Sequence, residues 1–408
     1  MGCKQGYECE KREFHWSETY PSGDKRANTN TGQFLANLPS LLHTPPPMTP
    51  EMKKLARRRL WLGITNVGFW VLTAAAGLYW LASYDTSDLG IRRLGFILGA
   101  AVAVQAVFDF IGGILLMPEP RPTITAFLHR WSRGALVHSL VLTGVGFLSY
   151  VSFRLSGGFC FAILLATAGL ALGRRQLFRA MDGVPIKETP HDGGTLLTAN
   201  TTDPAFTGGI VGFGRRAKSL IPERWLANLP KEELAVESGR RQWQLENGLP
   251  DRAFILVLGW NLIGGFFGSL IFKLAERTPA EALLGHACWM TLWTFGSLLI
   301  LPTLSRKAVF AADRAAADSG HDPRPWIARF PNLVGEDGSS NSTVQKIFYP
   351  IPSASLRLRQ LEKPLSGFVA GNLARSNLYY SWATLTLLGR AVHCNVGRPA
   401  LWVSPPSA

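Results

Sequence analysis

The sequence predicts a mainly α-helical membrane protein: a polytopic bundle of about six spans with a cytoplasmic helical domain that contains a small β element. Three observations support this fold class. Of the 408 residues, 47% are hydrophobic and 13 are Trp, and the mean hydropathy is +0.11. Several apolar runs reach the roughly 20 residues that cross a hydrocarbon core. The Lys and Arg residues of a chain with net charge +14 cluster beside these runs, as the positive-inside rule requires of cytoplasmic loops.

The N-terminal segment, residues 1–50, mixes charged residues with Gly, Asn, Thr and Pro and ends near Pro45-Pro46-Pro47. It has no periodic apolar pattern. Such a segment cannot bury enough apolar surface to offset the entropy lost on ordering. We therefore expect a disordered cytoplasmic arm here.

Residues 51–173 are predicted to form a membrane region of four spans. Each apolar run must be helical in lipid, because unpaired backbone groups find no water there. The third and fourth runs lie so close together that a helical hairpin with a tight turn at Gly157-Gly158 is expected. The predicted spans are Leu60–Ala82, Leu94–Met117, Gly134–Phe153 and Ser156–Gly173.

The rest of the chain alternates between water and membrane. Residues 174–252 predict one part of the cytoplasmic domain, and residues 305–408 predict the other part. Between them, residues 253–304 form a two-span hairpin, with spans at Ala253–Phe272 and Leu283–Leu304.

Three local patterns refine the predicted cytoplasmic domain. Phe206–Phe213 is rich in Gly with Ile and Val, which predicts a short β-hairpin. A helix is expected to begin at Glu232. The stretch Leu373–Cys394 is rich in Leu, Tyr, Trp and Ala but contains Arg375 and Arg390. It predicts an amphipathic helix on the soluble domain or lying on the membrane.

The flanking charges predict the orientation of the bundle. One set of flanking segments carries an excess of Lys and Arg over the loops at the other membrane face, where acidic residues offset the basic ones. By the positive-inside rule, both termini are expected on the cytoplasmic side of a cell or inner membrane. The basic residues on that side are Lys53, Lys54, Arg57, Arg58, Arg59, Arg121, Arg130, Arg133, Arg174, Arg175, Arg179, Arg306 and Lys307.

The stretch from Ser305 to Leu361 carries a motif. Ser305-Arg306 directly follows an apolar run, and Asp313 lies seven residues after Arg306. Tyr349-Pro350 follows later and leads into a segment with Leu356-Arg357-Leu358-Arg359. This frame resembles the membrane zinc metallopeptidases of the HtpX and CAAX prenyl protease type. That family carries Ser-Arg-x-x-Glu-x-x-x-Asp after a transmembrane pair, and then His-Pro before an Arg- and Leu-rich helix.

The order of elements is also similar, although the family has two early spans where this chain has four. The resemblance covers residues 206–361. It implies a metallopeptidase-like scaffold with Ser305, Arg306, Asp313 and Arg357 at matching positions. The Glu that would be the third metal ligand falls on Val309, and the His of His-Pro falls on Tyr349.

The metal chemistry of that family is missing from the sequence. His-Glu-x-x-His places two imidazoles on one helical face, with the Glu activating the metal-bound water. None of the eight His residues is followed by Glu. The helix expected to carry the motif contains Arg240 and Arg241, whose charges would repel a dication. An apolar Val309 cannot coordinate zinc. The sequence predicts no catalytic residue, no metal ligand and no cofactor; zinc enters only if unrecognised ligands assemble.

The two charged residues of the frame have alternative interpretations. In the family, the residue matching Asp313 supports the metal ligands from outside. Without a metal, we expect Asp313 to be a helix-surface acid paired with Arg306 or Arg314. Arg357 is expected to form a surface or interdomain ion pair.

Three polar residues lie inside predicted spans. A carboxylate at mid-membrane costs about 2.5–3.5 kcal/mol on insertion scales, so Asp109 should face a partner or a cavity. His138 on the next span is a candidate partner for a hydrogen bond, and backbone or water near the interface is the alternative. His286 begins a span near Cys288, and we expect a buried, hydrogen-bonded histidine and not a metal ligand.

These observations favour an integral membrane protein that resembles a zinc metalloendopeptidase but is catalytically inactive, a pseudoenzyme that binds or regulates membrane-protein partners. One alternative is an active membrane metallopeptidase with unrecognised ligands. A second is a small-molecule transporter, for which Asp109 is the hint. Membrane lipids are expected partners, and the net charge is explained by the anionic inner leaflet. Nucleic acid is not expected, since no aromatic-basic platform or helix-turn-helix pattern occurs.

Overall fold

The computed structural model describes residues 48–86, 88–117, 121–191, 194–335 and 342–407. The predicted disordered arm therefore lies almost wholly outside the described residues. Within them, six helices are long and apolar enough to cross a membrane, which agrees with the six predicted spans. They are α1 (Pro50–Ser83), α2 (Ile91–Phe110), α3 (Ile124–Ser156), α4 (Cys160–Asp182), α7 (Leu249–Leu274) and α8 (Pro279–Asp318).

The ends of these helices follow from local sequence. Thr49 caps α1 and Thr123 caps α3, each accepting a backbone N–H with its side-chain oxygen. Thr278 and Glu281 form a reciprocal capping box at the start of α8, an arrangement that satisfies two otherwise unpaired donors. Gly157 ends α3 in the left-handed conformation, as the predicted tight turn requires.

The longest helix, α8, links the membrane spans to the polar part of the chain. Its 40 residues extend about 60 Å at 1.5 Å per residue, twice the roughly 30 Å of a hydrocarbon core. Its C-terminal third, which contains Ser305 and Asp313, therefore continues beyond the membrane into the polar part of the chain.

Outside the spans, the chain forms a four-stranded sheet in the order β1-β2-β4-β3. Its strands are β1 (Lys187–His191), β2 (Gly194–Ala199), β3 (Gly209–Val211) and β4 (Lys218–Pro222). Strands β2 and β4 are parallel, and the other two pairs are antiparallel. The predicted hairpin over Phe206–Phe213 is wrong: the stretch supplies the single edge strand β3, whose partner β4 follows after a 3-10 turn.

Shorter helices complete the domain. The helix expected from Glu232 begins one residue earlier, at Lys231. The domain's helices are α5 (Glu223–Asn228), α6 (Lys231–Glu246), α9 (Arg324–Val334), α10 (Ser342–Phe348) and α11 (Ala354–Leu361). Apolar side chains of α5, α6, α8, α9 and the sheet form one buried cluster.

The C-terminal segment differs most from its prediction. Residues 373–406 contain only short helices, α12 (Leu373–Tyr380), α13 (Leu388–Ala391) and α14 (Pro399–Val403), and nearly all of these residues are buried. The predicted amphipathic surface helix over Leu373–Cys394 is therefore wrong. The segment packs among the spans, where irregular backbone is tolerated because protein surrounds it.

Candidate functional site

Helices α6 and α8 meet where the resemblance places the metal. Val236 of α6 and Val309 of α8 belong to the same buried apolar cluster, together with Trp225 and Trp326. Val309 is 3% exposed. The predicted third-ligand position is therefore part of a hydrophobic core, and its side chain offers no donor to a metal.

Directly beside these valines lies a buried ion-pair cluster, formed by Glu237, Arg240, Arg241, Asp313 and Arg357. Arg240 pairs with Glu237 and, through Nε, lies 2.8 Å from Asp313 Oδ1. Arg241 Nε lies 2.6 Å from Glu237 Oε1. Arg357 Nε and Nη2 donate hydrogen bonds of 2.8 and 2.7 Å to the two carboxylate oxygens of Asp313. All five side chains are at most 3% exposed, so three guanidiniums neutralise two carboxylates away from water.

The surface position predicted for Asp313 is therefore wrong. Arg357 forms an ion pair, as predicted, but this pair is buried and not on the surface. Both residues are buried, and they pair with each other. Asp313 does not pair with Arg306 or Arg314 as expected, because both of those side chains donate to main-chain oxygens. Arg306 reaches the carbonyls of Gln345 and Tyr349. Arg314 caps the end of α11, with a 2.7 Å bond to the carbonyl of Leu361.

The remaining residues of the frame hold neighbouring segments in place. Ser305 Oγ donates to the Leu301 carbonyl at 2.8 Å and accepts the backbone N–H of Ala374 at 2.9 Å. It thereby joins α8 to the start of α12. Tyr349 is buried, and its ring contacts His393 edge-on with centroids 5.2 Å apart. The position matching a family histidine thus serves packing.

The structure also reveals a relation that the sequence search missed. Val236, Glu237 and Arg240 have the spacing of His-Glu-x-x-His, with Val and Arg at the two ligand positions. No histidine marks this relation in the sequence. The signal for the motif is Glu237, on the helix that packs against Val309. We call Val236, Glu237, Arg240 and Val309 the degenerate motif.

The electrostatics of the degenerate motif oppose metal binding and base catalysis. Burial alone would raise the pKa of Glu237, but the guanidiniums of Arg241 and Arg240 hold it below its ordinary value. The pKa of Arg240 rises despite the opposing effect of burial, because Asp313 and Glu237 flank it. In the described ranges, no three His, Cys, Asp or Glu side chains are placed to hold a metal ion.

A second buried charge cluster lies between the spans, around Asp109. Its carboxylate accepts hydrogen bonds from Arg390 Nε at 3.0 Å, Trp131 Nε1 at 3.0 Å and Gln105 Nε2 at 3.1 Å. The backbone N–H of Gly397 donates a further bond of 2.9 Å. A side chain on Gly397 is excluded, because its Cβ would lie 2.1 Å from the Asp109 carbonyl oxygen.

Asp109 and His138 do not form the predicted hydrogen bond with each other. Arg390 stands between them, with Nη1 at 3.4 Å from His138 Nδ1, and its guanidinium stacks 3.9 Å from the Trp402 ring. Asp109 does face a buried partner, as its position inside a span predicts. Its ionic partner comes from the C-terminal segment, whereas the next span, α3, contributes the neutral donor Trp131.

His286 is fully buried, as predicted, and its ring stacks on Phe159 with centroids 3.9 Å apart. The predicted hydrogen bond is not found: neither ring nitrogen has a hydrogen-bond partner among the described residues. No metal-ligating group surrounds it there. His286 is therefore a packing residue of α8.

Polar anchors fix the C-terminal segment inside the bundle along its whole length. Asn377 Nδ2 donates to Ser297 Oγ at 2.6 Å, and Tyr379 Oη donates to the Leu170 carbonyl at 2.7 Å. Arg398 forms a two-pronged ion pair with the buried Asp203. These contacts join the segment to α4, to α8 and to the loop that precedes β3.

Comparisons with known proteins support the fold. No family model matches the chain, and no curated protein matches it in sequence. The structure is similar to the crystal structure of Ste24p from S. mikatae, with a TM-score of 0.54 and 9% identity. The match covers 78% of this chain and 100% of that chain. Ste24p is a CAAX prenyl protease, a zinc metallopeptidase. The chain is thus an integral membrane protein with a membrane metallopeptidase-like fold.

Proposed function

We propose that this protein is a catalytically inactive membrane protein on a metallopeptidase-like scaffold, which acts by binding or regulating membrane-protein partners. One observation carries the proposal. At the place of the zinc-binding motif, the guanidinium of Arg240 lies between Glu237 and Asp313 and pairs with both. The scaffold is stabilised there by an arginine where a metallopeptidase uses a metal.

The chemistry of the degenerate motif supports inactivity. An effective general base has a pKa near the working pH, whereas Glu237 is held ionised by two arginines and has a lowered pKa. Its oxygens are occupied by Arg240 and Arg241. Because an arginine is always protonated, neither residue can release Glu237 to activate a water.

The edge strand β3 is the surface that we propose for a partner. An edge strand can pair with an added extended segment, and the chain itself occupies part of this edge, since Arg174 Nη1 donates to the Ile210 carbonyl at 3.2 Å. The chain's own C-terminal residues lie beside it: the Ser407 backbone N–H donates to Thr207 Oγ1 at 2.6 Å, and Ser407 Oγ lies 3.5 Å from the Gly208 carbonyl. We infer that an extended segment of a membrane-protein partner binds along β3 and displaces Ser407 from this edge.

Metal content and peptidase activity test the inactive assignment. The full chain, purified without a histidine tag in mild detergent, should contain far less than one zinc per chain by mass spectrometry. It should cleave no peptide in a chelator-sensitive way. Near-stoichiometric zinc together with chelator-sensitive proteolysis would overturn the proposal and favour the active metallopeptidase.

Site-specific photo-cross-linking tests the partner surface. A benzoylphenylalanine at Ile210, on β3, should yield a discrete cross-linked membrane protein in the native membrane. The matched control places the same group at Thr189 on β1, the opposite edge of the same sheet. Equal products from both edges would contradict docking along β3.

The transporter alternative gains no support, because the Asp109 carboxylate is occupied by protein donors.

A further inference from the structure

We propose that a groove between α1, α2, α3 and α8 binds one acyl chain of a membrane phospholipid, a site separate from the degenerate motif. The groove has a volume of about 550 Å³. The groove opens toward the lipid-facing side of the bundle, where its lining residue Phe147 is exposed, and it has room for part of an acyl chain.

The lining identifies the chemistry of that occupant. Of the 23 residues around the groove none is charged, and the polar ones are three Thr, one Tyr and one Cys, spread over α1, α3 and α8. Water in a cavity needs two to four polar partners close together, and apolar cavities stay dry. The occupant must therefore be a hydrocarbon. The large contributors are Trp70, Trp80, Leu98, Leu142, Phe147 and Leu283.

The depth of the groove matches one leaflet. Along α2 its lining runs from Ile91 to Ala101, ten residues or about 15 Å. Half of a hydrocarbon core is also about 15 Å. The groove lies at the end of the bundle that carries the Tyr84–Gly90 loop, and it therefore fits a chain that enters from the leaflet on that side.

The mouth of the groove faces lipid. Only 11% of the apolar window of α2 is buried inside the protein, the lowest fraction among the six spans. Trp80 and Phe147, which line the mouth, are 40% and 71% exposed. Arg92 and Arg93 directly follow the lining residue Ile91 and are exposed. Arg93 already pairs with Asp88, which leaves Arg92 to contact a lipid phosphate at the mouth.

The floor of the groove contains a strained residue. Leu385 of the C-terminal segment has a φ of 65°, a left-handed conformation that costs a branched side chain free energy. Its Cδ2 lies 3.8 Å from the position that a Cβ on Gly146 would occupy. This conformation places the apolar side chain of Leu385 at the bottom of the groove, where it would contact a bound acyl chain.

Two glycines of α3 provide a matched pair of variants. Gly146 lines the groove, and a Cβ there would meet Leu385 at ordinary van der Waals distance. Gly144 lies on the same helix outside the groove, and a Cβ there would meet nothing within 4 Å. Gly146→Phe therefore fills the groove, whereas Gly144→Phe adds the same ring on the outside. Equal melting temperatures for both variants in detergent would confirm that both fold.

The experiment reconstitutes the full chain in phosphatidylcholine nanodiscs that contain a phosphatidylglycerol with a diazirine in one acyl chain. After irradiation, mass spectrometry maps the adducts. Adducts should concentrate on groove residues such as Trp70 and Leu142. Gly146→Phe should lower their yield about tenfold, which corresponds to about 1.4 kcal/mol of binding free energy. Gly144→Phe should leave the yield of groove adducts unchanged. The yield of adducts at the outward-facing Phe96 should be unchanged in both variants.

Two results would overturn the proposal. The first is an equal loss, or no loss, of groove adducts in the two glycine variants. The second is a groove yield no higher than the yield at Phe96, which would mean ordinary surrounding lipid only. The variant Arg92→Gln tests the headgroup contact. A lower yield of groove adducts supports the phosphate contact, and an unchanged yield refutes it.

Discussion

Replacing Arg240 with Met removes the central cation of the ion-pair cluster while keeping a side chain of similar length. Arg240 is fully buried and touches both Glu237 and Asp313. Removing one partner of a buried ion pair costs about 3–5 kcal/mol, because a desolvated charge is left behind. Each carboxylate here keeps a second arginine, Arg241 or Arg357. We therefore expect the lower end, about 3 kcal/mol.

Urea unfolding of the full chain in mild detergent measures this loss. The fluorescence of Trp225 and Trp326 reports on the domain, since both rings pack in the adjoining cluster. With a urea m-value of about 1–3 kcal/mol/M, the midpoint should fall by about 1–3 M. The control is Arg216→Met. Arg216 is exposed, and its substitution should change stability by no more than about 0.5 kcal/mol.

A double variant separates the ion pair from packing. If Arg240→Met destabilises by breaking the contact with Glu237, the loss in the double variant with Glu237→Gln should be smaller than the sum of the two single losses, because each single substitution already removes that contact. Contacting residues show such non-additivity, by about 0.5–3 kcal/mol. The reasoning is refuted if Arg240→Met behaves like Arg216→Met, or if the two substitutions add.

Three further predictions follow from the same contacts. Restoring ligands with V236H, R240H and V309E together should produce near-stoichiometric zinc by mass spectrometry. Zinc at 100 times its Kd should then stabilise the chain by about 2.7 kcal/mol, and V236H with V309E alone should bind little. Because the pKa of Glu237 is lowered in the folded chain, its contribution is present above the unfolded value of about 4.3 and lost as the pH falls through the folded value. When the urea midpoint is measured as a function of pH, its decrease at acidic pH should therefore be smaller in E237Q. Asp109→Asn should cost about 3–5 kcal/mol of stability in detergent by leaving its buried arginine unpaired, and an unchanged melting temperature would contradict the buried pair.

The elements that the sequence predicted well depend on local information. An apolar run of sufficient length must become a membrane helix whatever surrounds it, and all six spans follow from that rule. The apolar Val309 at the third-ligand position was also visible, because the Ser305-Arg306 frame sets the count. The degenerate motif on α6 was visible too, since Glu237 stands between Val236 and Arg240 at the required spacing. It was missed because the search began from histidine.

Two of the contacts that escaped prediction join charges that are distant in sequence. Arg390 lies 281 positions from Asp109, and Arg398 lies 195 positions from Asp203. Read alone, each arginine marks a surface, which is why Leu373–Cys394 resembled an amphipathic helix. Yet a carboxylate inside a span must find a cation or lose its charge. Asp109 therefore required a basic partner at membrane depth, and a mostly apolar segment interrupted by arginine was the region of the chain able to supply one. The same requirement that made Asp109 conspicuous also explains why the C-terminal segment is folded among the spans.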